Sequence, residues 1–215
     1  MVYIIAEVMC VRILHINDSI RCVVTGPIGT NSYVIDAEPI VVIDPGYGIG
    51  TFVQKPCIVL LTHGHFDHIC GLKELRVERL YISEQEASWL VDPSLNLSLY
   101  FGERFVFNCE VEYLPENFTM GKLDFKVYRT PGHTPGSVMF KTNGVIFSGD
   151  TIFLDSIGRT DLPGGDEATM RKTLMFVKEL LSSFEPHELV LPGHGEIGTV
   201  EEVLRDNLFL REEER

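Results

Sequence analysis

Apolar, β-branched runs recur through the first sixty residues and predict a strand-rich beginning to the chain. Turn signals such as Gly26-Pro27 separate these runs. Two of the runs are continuously apolar rather than alternating, which is typical of strands that are buried on both faces. The predicted strands are VRILHI (11–16), RCVVT (21–25), SYVID (32–36) and the two continuous runs, IVVID (40–44) and CIVLL (57–61).

The second half of the chain again combines strand patterns with helices. Asn143-Gly144 lies between two apolar runs and predicts a tight hairpin turn. Spaced apolar residues after Asp166 predict an amphipathic helix, and Thr199 with a glutamate three residues later is typical of a helix start. The predicted elements are strands at 123–130, 137–142, 144–150 and 188–192, a helix over 166–183 and a last helix from Thr199.

Two further helices are predicted between these halves, over 69–76 and 83–91. Ser83 is the predicted N-cap of the second, with Glu86 three residues later as in a capping box. The segment 92–121 has no readable pattern. Two successive strand-rich halves, each with helices, predict an α/β fold in which two mixed sheets pack face to face with helices outside them. This is a four-layer αβ/βα sandwich.

Length and composition fit one domain of a soluble globular protein. The chain has 215 residues and no evident repeat or linker, so a single domain over 1–215 is predicted. Apolar residues make up 45% and charged residues 23%, as in an average globular protein. No apolar stretch approaches the roughly 20 residues that span a bilayer, so no membrane partner is expected. The net charge of −13 argues against a nucleic-acid partner.

The N-terminus and the cysteines together predict a cytoplasmic protein. The apolar stretch MVYIIAEVMCVRILHIN carries Glu7 and lacks the basic start of a signal peptide, and Met9 is an alternative first residue. The five cysteines are scattered without a CxxC spacing, which indicates reduced and mostly buried thiols. Cys70 has the strongest case for chemistry among them, because it adjoins a cluster of histidines.

Three histidines and an aspartate lie within the stretch THGHFDHIC (62–70). His63 and His65 are two residues apart, so on an extended backbone both imidazoles point the same way and can bind one ion. Asp67 and His68 lie past the turn and can face a second ion. Imidazole and carboxylate are ligands that suit Zn²⁺, Fe or Mn, whereas thiolate-rich clusters mark structural zinc.

Three more candidate ligands directly follow predicted strands. His133 lies in TPGHTPGS, Asp150 ends VIFSGD, and His194 lies in PGHG. Open sheets place their ligand sites at the carboxyl ends of strands. His15 and His187, the other two histidines, are interpreted as ordinary solvated or hydrogen-bonded residues.

The number of candidate ligands exceeds the four of a closed structural zinc site. It is sufficient for two ions that share one carboxylate, which favours a catalytic pair with open positions for water. The candidates are His63, His65, Asp67, His68, His133, Asp150 and His194.

This ordered set resembles the metal site of the metallo-β-lactamase fold superfamily. The HxHxDH element is present in THGHFDHIC, and the later ligands match in TPGH, SGD and PGHG. The resemblance covers essentially the whole chain and implies the four-layer sandwich with the metal site at one edge of the sheets. It also implies a division of ligands: His63, His65 and His133 for the first ion, Asp67, His68 and His194 for the second, and Asp150 as the bridge between them.

A second resemblance concerns the branch of the superfamily. Dinuclear β-lactamases have a cysteine or another residue in place of Asp150, so the aspartate points toward hydrolases that resemble glyoxalase II. The segment GDTIFLDSIGRTDLPGGD (149–166) and the late Asn-x-Phe-Leu (207–210) are similar to short bacterial glyoxalase II-like proteins. Conventional glyoxalase II enzymes carry a helical C-terminal extension that supplies much of the glutathione site. This chain has few residues after His194, so the thiol carrier stays open.

The glyoxalase II resemblance implies hydrolysis of a hydroxyacyl thioester, such as S-D-lactoylglutathione or a related thiol adduct. Two divalent ions would activate water, with zinc expected first and iron or manganese as alternatives. Asp67 and Asp150 would be the catalytic carboxylates, with Asp67 orienting the water or accepting its proton. Arg159 has two interpretations: it faces the carboxylate of the substrate, or it forms a structural ion pair with Asp161.

Two other classes of function are compatible with the fold. A GRTD element also occurs in persulfide dioxygenases, which use a single iron in the same pocket. For such an enzyme, His63, His133 and Asp150 would suffice as a 2-His-1-carboxylate site. A non-catalytic protein of this fold would be expected to lack some ligands, and the set here is complete. The sequence leaves the oligomeric state open.

Overall fold

A computed structural model gives the structure of residues 12–211, which form two β-sheets with helices against their outer faces. The strands of the first sheet are β1 (Arg12–His15), β2 (Ile20–Thr25), β3 (Thr30–Ile35), β4 (Ile40–Ile43), β5 (Cys57–Leu60), β6 (Val77–Ile82) and β7 (Glu112–Tyr113). The strands of the second sheet are β8 (Asn117–Met120), β9 (Leu123–Arg129), β10 (Val138–Thr142), β11 (Val145–Gly149), β12 (Leu189–Pro192) and β13 (Gly198–Thr199).

Both sheets are mixed. In the first, the strands lie in chain order, with antiparallel pairing from β1 to β4 and parallel pairing from β4 to β7. In the second, the order is β13-β12-β11-β10-β9-β8, with β11 and β12 parallel and the other neighbours antiparallel. This arrangement confirms the predicted fold class.

The two sheets pack against each other through a core of large apolar side chains. Tyr33 of the first sheet meets Phe147 of the second, with ring centroids 5.1 Å apart. Alternate residues of a strand serve different layers: Val41 and Ile43 face this core, whereas Val42 packs into the outer layer. The alternation explains why β4 and β5 are apolar at every position.

The outer layers are made of helices, and three of them are α-helices. Asp166 caps the longest by accepting a hydrogen bond of 2.6 Å from the N–H of Thr169, and Thr199 and Glu202 form the predicted capping box of the last. The α-helices are α1 (Phe66–Ile69), α2 (Glu167–Ser182) and α3 (Val200–Asp206). The 3-10 helices are Ile49–Thr51, Cys70–Glu74, Glu84–Val91, Ser98–Phe101 and Leu208–Leu210.

Several local predictions are confirmed and others are wrong. Asn143 and Gly144 have φ of 45° and 75°, as a tight hairpin turn with two left-handed residues requires. The helix predicted over 69–76 begins earlier, at Phe66, because His65 takes its N-cap position with extended backbone. The predicted capping box at Ser83 is also absent: the Ser83 side chain caps no N–H of its helix, and Glu86 turns inward instead.

Four strands had no counterpart in the sequence prediction, namely β6, β7, β8 and β13. Two of them, β7 and β13, are two-residue strands, and two, β7 and β8, lie in the segment 92–121 without a readable pattern. Such strands depend on the neighbours with which they pair more than on their own residues. No helix within residues 12–211 is long and apolar enough to cross a membrane.

The cysteines among residues 12–211 meet the expectation of mostly buried thiols only in part. Cys22 and Cys57 are buried, Cys70 is half-buried and Cys109 is exposed. Burial raises the pKa of Cys70 to about 12, so its thiol is protonated at neutral pH and is a poor nucleophile. Cys10, Glu7, Met9 and the first residue of the predicted strand 11–16 lie outside the described residues.

Candidate metal centre

The seven predicted ligands come together at one edge of the sandwich. β5 precedes His63, β9 precedes His133, β11 precedes Asp150 and β12 precedes His194. The strands β9, β11 and β12 run in one direction, because β10 is antiparallel to β9 and β11, and β12 is parallel to β11. Their carboxyl ends therefore share an edge, where the loop after β5 of the other sheet meets them.

His63, His65 and His133 form one group of buried side chains. One nitrogen of each lies within 4.8 Å of the others. Nε2 of His133 is 2.9 Å from Nδ1 of His65. The group thus unites a loop of each sheet, and its members are those that the family resemblance implies for a first ion.

Asp67, His68 and His194 form a second group. Their ligand atoms also lie within 4.8 Å of one another. Nε2 of His194 is 3.1 Å from Oδ2 of Asp67 and 3.3 Å from Nε2 of His68. This group has the members implied for a second ion.

Asp150 lies between the two groups. Its Oδ2 is 3.6 Å from Nε2 of His133 and 3.6 Å from Nε2 of His194, and its Oδ1 is 3.5 Å from Nε2 of His68. The close approach requires a glycine at position 193, since a Cβ there would lie 2.2 Å from Oδ1 of Asp150. Gly193, the first glycine of PGHG, is therefore required for steric reasons.

Asp44 orients two of the histidines, and it was not among the predicted site residues. It is buried and accepts hydrogen bonds from Nδ1 of His68 (3.1 Å) and from the hydroxyl of Thr62 (2.6 Å). Because that hydroxyl donates to Asp44, its oxygen accepts from Nδ1 of His63 at 3.1 Å. Both histidines therefore present Nε2 to the centre. Asp44 ends IVVID just as Asp150 ends VIFSGD, so the same pattern pointed to it.

The loop after Asp150 contributes a carbonyl group to the centre. Nδ1 of His133 donates to the carbonyl oxygen of Arg159 at 2.7 Å, which leaves Nε2 of His133 for a ligand. The guanidinium of Arg159 is exposed and makes two hydrogen bonds of 2.7 Å with the carboxylate of Asp161. The structural ion pair is thus present, and the contact with a substrate stays a prediction.

The start of β3 holds the second group in place. The hydroxyl of Thr30 donates to Oδ2 of Asp67 at 2.8 Å. The amide of Asn31 donates to the carbonyl oxygens of Pro192 and Gly195, at 3.0 and 3.1 Å, on either side of His194. These bonds join the first sheet to the PGHG loop of the second.

Glu86 is a further buried carboxylate beside the centre. Oε2 accepts from the N–H of Gly64 at 2.5 Å, and Oε1 accepts from the N–H of Gly136 at 2.6 Å. Burial raises the pKa of Glu86 to about 7, although hydrogen bonds from Thr134, Gly136 and Gly64 act in the opposite direction. The sequence pattern assigned this residue to a helix cap instead.

The electrostatics of the second group favour a positive charge at its middle. Burial opposes a charge on His68, but Asp67, Asp150 and Asp44 raise its pKa well above the usual value. Burial likewise opposes a charge on Asp67, but His68 and His194 lower its pKa well below the usual range. A divalent cation in the same place would be stabilised by the same carboxylates.

The donor atoms fit metal ions. Nε2 of His63 and Oδ1 of Asp150 are buried and have no hydrogen-bond partner among residues 12–211. Buried polar atoms normally have a partner, and these are atom types that bind divalent transition ions. Burial lowers the pKa of His63 and of His65 well below the usual value, which maintains the neutral form that a ligand needs.

A cavity of about 670 Å³ adjoins the second group at Asp67 and Thr30. Its lining is largely apolar, and its charged members besides Asp67 are Lys73, Arg104 and Glu103. The apolar members of the wall include Ile28, Tyr47, Phe66, Phe101 and Phe105. The cavity offers space for a molecule that reaches the centre from this side.

A model of the Metallo-beta-lactamase superfamily matches residues 25–194, a range that contains all seven candidate ligands. The chain belongs to this superfamily. The metallo-β-lactamase fold and the order of the ligand loops thus agree with the resemblance found in the sequence.

Two relatives carry names that describe hydrolases. The probable metallo-hydrolase YqgX of Bacillus subtilis is 37% identical over 186 residues, which cover 79% of this chain and 87% of that protein. The hydroxyacylglutathione hydrolase GloC of Haemophilus influenzae is 29% identical over 197 residues, which cover 81% of this chain and 89% of that protein. These likenesses support a hydrolase of the metallo-β-lactamase superfamily.

Two solved structures share the fold. The BLEG-1 B3 metallo-beta-lactamase superposes with a TM-score of 0.79 at 33% identity, covering 89% of this chain and 99% of that one. TTHA1623 in a di-iron-bound form superposes with a TM-score of 0.75 at 31% identity, covering 88% and 99% of the respective chains. The metallo-β-lactamase centre of this chain therefore implies divalent metal ions.

Proposed function

We propose that the protein is a two-metal hydrolase that cleaves a hydroxyacyl thioester, in the manner of glyoxalase II. The observation that carries the proposal is the position of Asp150, whose Oδ2 is equally far, 3.6 Å, from Nε2 of His133 and Nε2 of His194. A carboxylate between two complete ligand groups suits a pair of ions that share it. A single ion in the first group would leave the second group without a role.

Each group would hold one ion. His63, His65 and His133 would bind the first through Nε2, Nδ1 and Nε2, and Asp67, His68 and His194 would bind the second. Zinc is proposed first, and the di-iron-bound form of TTHA1623 supports iron as an alternative beside manganese. When bound, such a pair lowers the pKa of water toward neutrality and polarises a carbonyl group.

Asp67 is proposed to orient the attacking water. The hydroxyl of Thr30 holds one oxygen of its carboxylate, which restricts the direction in which the group can face. A carboxylate with a pKa well below the usual range is a weak base. Asp67 is therefore better suited to orient the water than to accept a proton from it. A thiolate leaves readily, so this reaction needs no strong general acid.

The substrate is proposed to be a small-molecule thioester that reaches the centre over Asp67. The adjoining cavity has apolar walls for one arm of the molecule, and Lys73 and Arg104 in its lining, beside Glu103, are proposed to contact an anionic group. On the other side of the centre, Arg159 is proposed to face a carboxylate of the substrate. The name of GloC supports a hydroxyacyl thioester.

Substrate panels on the purified protein test the proposed function. We expect hydrolysis of S-D-lactoylglutathione or of a hydroxyacyl thioester on another thiol, measured as release of the free thiol. We expect no oxygen uptake with glutathione persulfide. Oxygen uptake without thioester hydrolysis would instead assign the persulfide dioxygenase reaction. Turnover of a chromogenic β-lactam alone would contradict the proposal in favour of the activity that the name of BLEG-1 describes.

The Arg159→Ala variant should raise KM for substrates that carry a carboxylate by up to about fivefold, since one exposed ion pair contributes at most about 1 kcal/mol, with little change in kcat. The reason is that the carbonyl group that orients His133 survives the substitution, while the exposed guanidinium is lost. Arg171→Ala is the matched control, since Arg171 is an exposed arginine paired with Glu167 on α2. An equal effect of both variants on KM would show that Arg159 does not contact substrate.

A further inference from the structure

Glu86 joins the two loops that carry the first group of histidines. Its side chain is fully buried. One oxygen accepts from the N–H of Gly64 and the other from the N–H of Gly136. Gly64 separates His63 from His65, and Gly136 lies three residues after His133.

The two loops belong to different sheets. The loop at Gly64 follows β5 of the first sheet, whereas Gly136 lies between β9 and β10 of the second. One carboxylate thus spans the sheet interface where two imidazoles of one loop must meet the third imidazole of the other. A backbone hydrogen bond of 2.9 Å from the N–H of Val138 to the carbonyl oxygen of Thr62 joins the same loops. The loops therefore stay adjacent if Glu86 is altered.

The surroundings of Glu86 fit a carboxylate and leave little room for a side chain at either glycine. A Cβ at position 136 would lie 2.8 Å from Cγ of Glu86, and one at position 64 would lie 3.2 Å from its Oε2. Both partners are N–H donors, so both oxygens must accept. An amide has one accepting oxygen, and its NH₂ group would face an N–H group without a bond.

We propose that Glu86 is a positioning residue that sets the separation between His63–His65 and His133, and so the affinity of the first group for its ion. The proposal rests on the ligand assignment of the proposed function. Within residues 12–211, the hydrogen bonds of Glu86 go to the two loops of the first group, whereas Thr30, Asn31 and Asp44 hold the second group. The effect of its substitution is therefore confined to one ion.

Two single-site backgrounds separate the ions. His194→Ala retains the first group, and His65→Ala retains the second. In the His194→Ala background we expect Glu86→Gln to weaken binding of Zn²⁺ or Co²⁺ by about 10- to 100-fold, the usual scale for residues that orient ligands. In the His65→Ala background we expect a change below about threefold. Competition with a chromophoric chelator measures the affinities, and the Co²⁺ absorption spectrum reports the geometry of the remaining site.

Two further variants complete the experiment. Glu84→Gln is the matched control, since Glu84 is an exposed glutamate of the same 3-10 helix, and it should change neither affinity. Glu86→Asp retains both accepting oxygens on a shorter side chain, so binding by the first group should be intermediate. This variant also replaces Glu86→Gln as the test if the glutamine variant fails to fold.

The outcomes decide the proposal without any assay of catalysis. Equal weakening in both backgrounds, or a lower melting temperature with unchanged affinities, would make Glu86 a merely structural residue and overturn the proposal. Loss of binding by the first group alone supports it. If neither background binds an ion, the ligand assignment and the proposal fail together. If the ions bind as expected but no thioester is cleaved, only the proposed function fails.

Discussion

Replacing Asp150 by alanine should abolish hydrolysis, with a fall in kcat of about a thousandfold or more. The side chain lies between both ligand groups, so its loss would remove a donor from each proposed ion and the proposed bridge between them. A metal pair supplies several kcal/mol of transition-state stabilisation, and about 1.36 kcal/mol corresponds to each tenfold in rate. Steady-state kinetics on samples of known metal content measure the effect.

The Asp150 experiment has a direct control and a parallel variant. Asp124→Ala changes an exposed aspartate on β9, far from the ligand loops, and should leave kcat unchanged. His65→Ala should match Asp150→Ala, because it removes a donor from the first group. If Asp150→Ala retains most of its activity with metal bound, the bridging assignment is wrong.

Removal of the metal ions should abolish activity and lower the melting temperature by on the order of 10 °C. An ion present at about a thousand times its Kd stabilises the folded state by about 4 kcal/mol, and about 1 kcal/mol shifts the melting temperature of a domain this size by roughly 2–4 °C. The buried donors without partners at His63 and Asp150 are among the groups that would lose this stabilisation.

Chelation followed by calorimetry or a thermal shift assay checks the stability, and addition of Zn²⁺, Fe²⁺ or Mn²⁺ separately checks which ion restores turnover. The Asp150→Ala variant is the control, because its melting temperature should respond less to the chelator. Undiminished activity in protein shown by elemental analysis to be free of metal would contradict a metal-dependent reaction.

The strand pattern predicted the sandwich well because it shows which strands are covered by other layers on both faces. β4 and β5 are apolar throughout, since each strand lies between the inner core and an outer layer. The short strands β7 and β13 escaped prediction, because two residues carry too little pattern of their own and pairing with a neighbour decides them.

The partners of Glu86 show where local patterns mislead. Its place three residues after Ser83 is typical of a capping box. In the structure, two buried N–H groups of distant loops each donate to one oxygen of the carboxylate, and the helix cap is not formed. A buried donor without a partner costs about 1–3 kcal/mol, more than a typical cap of about 1 kcal/mol. The tertiary partners therefore decide the direction of the side chain.

The sequence by itself determined which metal-binding side chains are available. It also determined that these side chains lie at the ends of strands. Imidazole and carboxylate donors recur directly after β5, β9, β11 and β12, and local sequence is sufficient to set that order. The tertiary structure alone decided that Asp44 orients His68, that Arg159 contributes its carbonyl oxygen, and that Glu86 joins the two sheets. These are contacts between residues far apart in the chain, whose geometry exists once both sheets have packed.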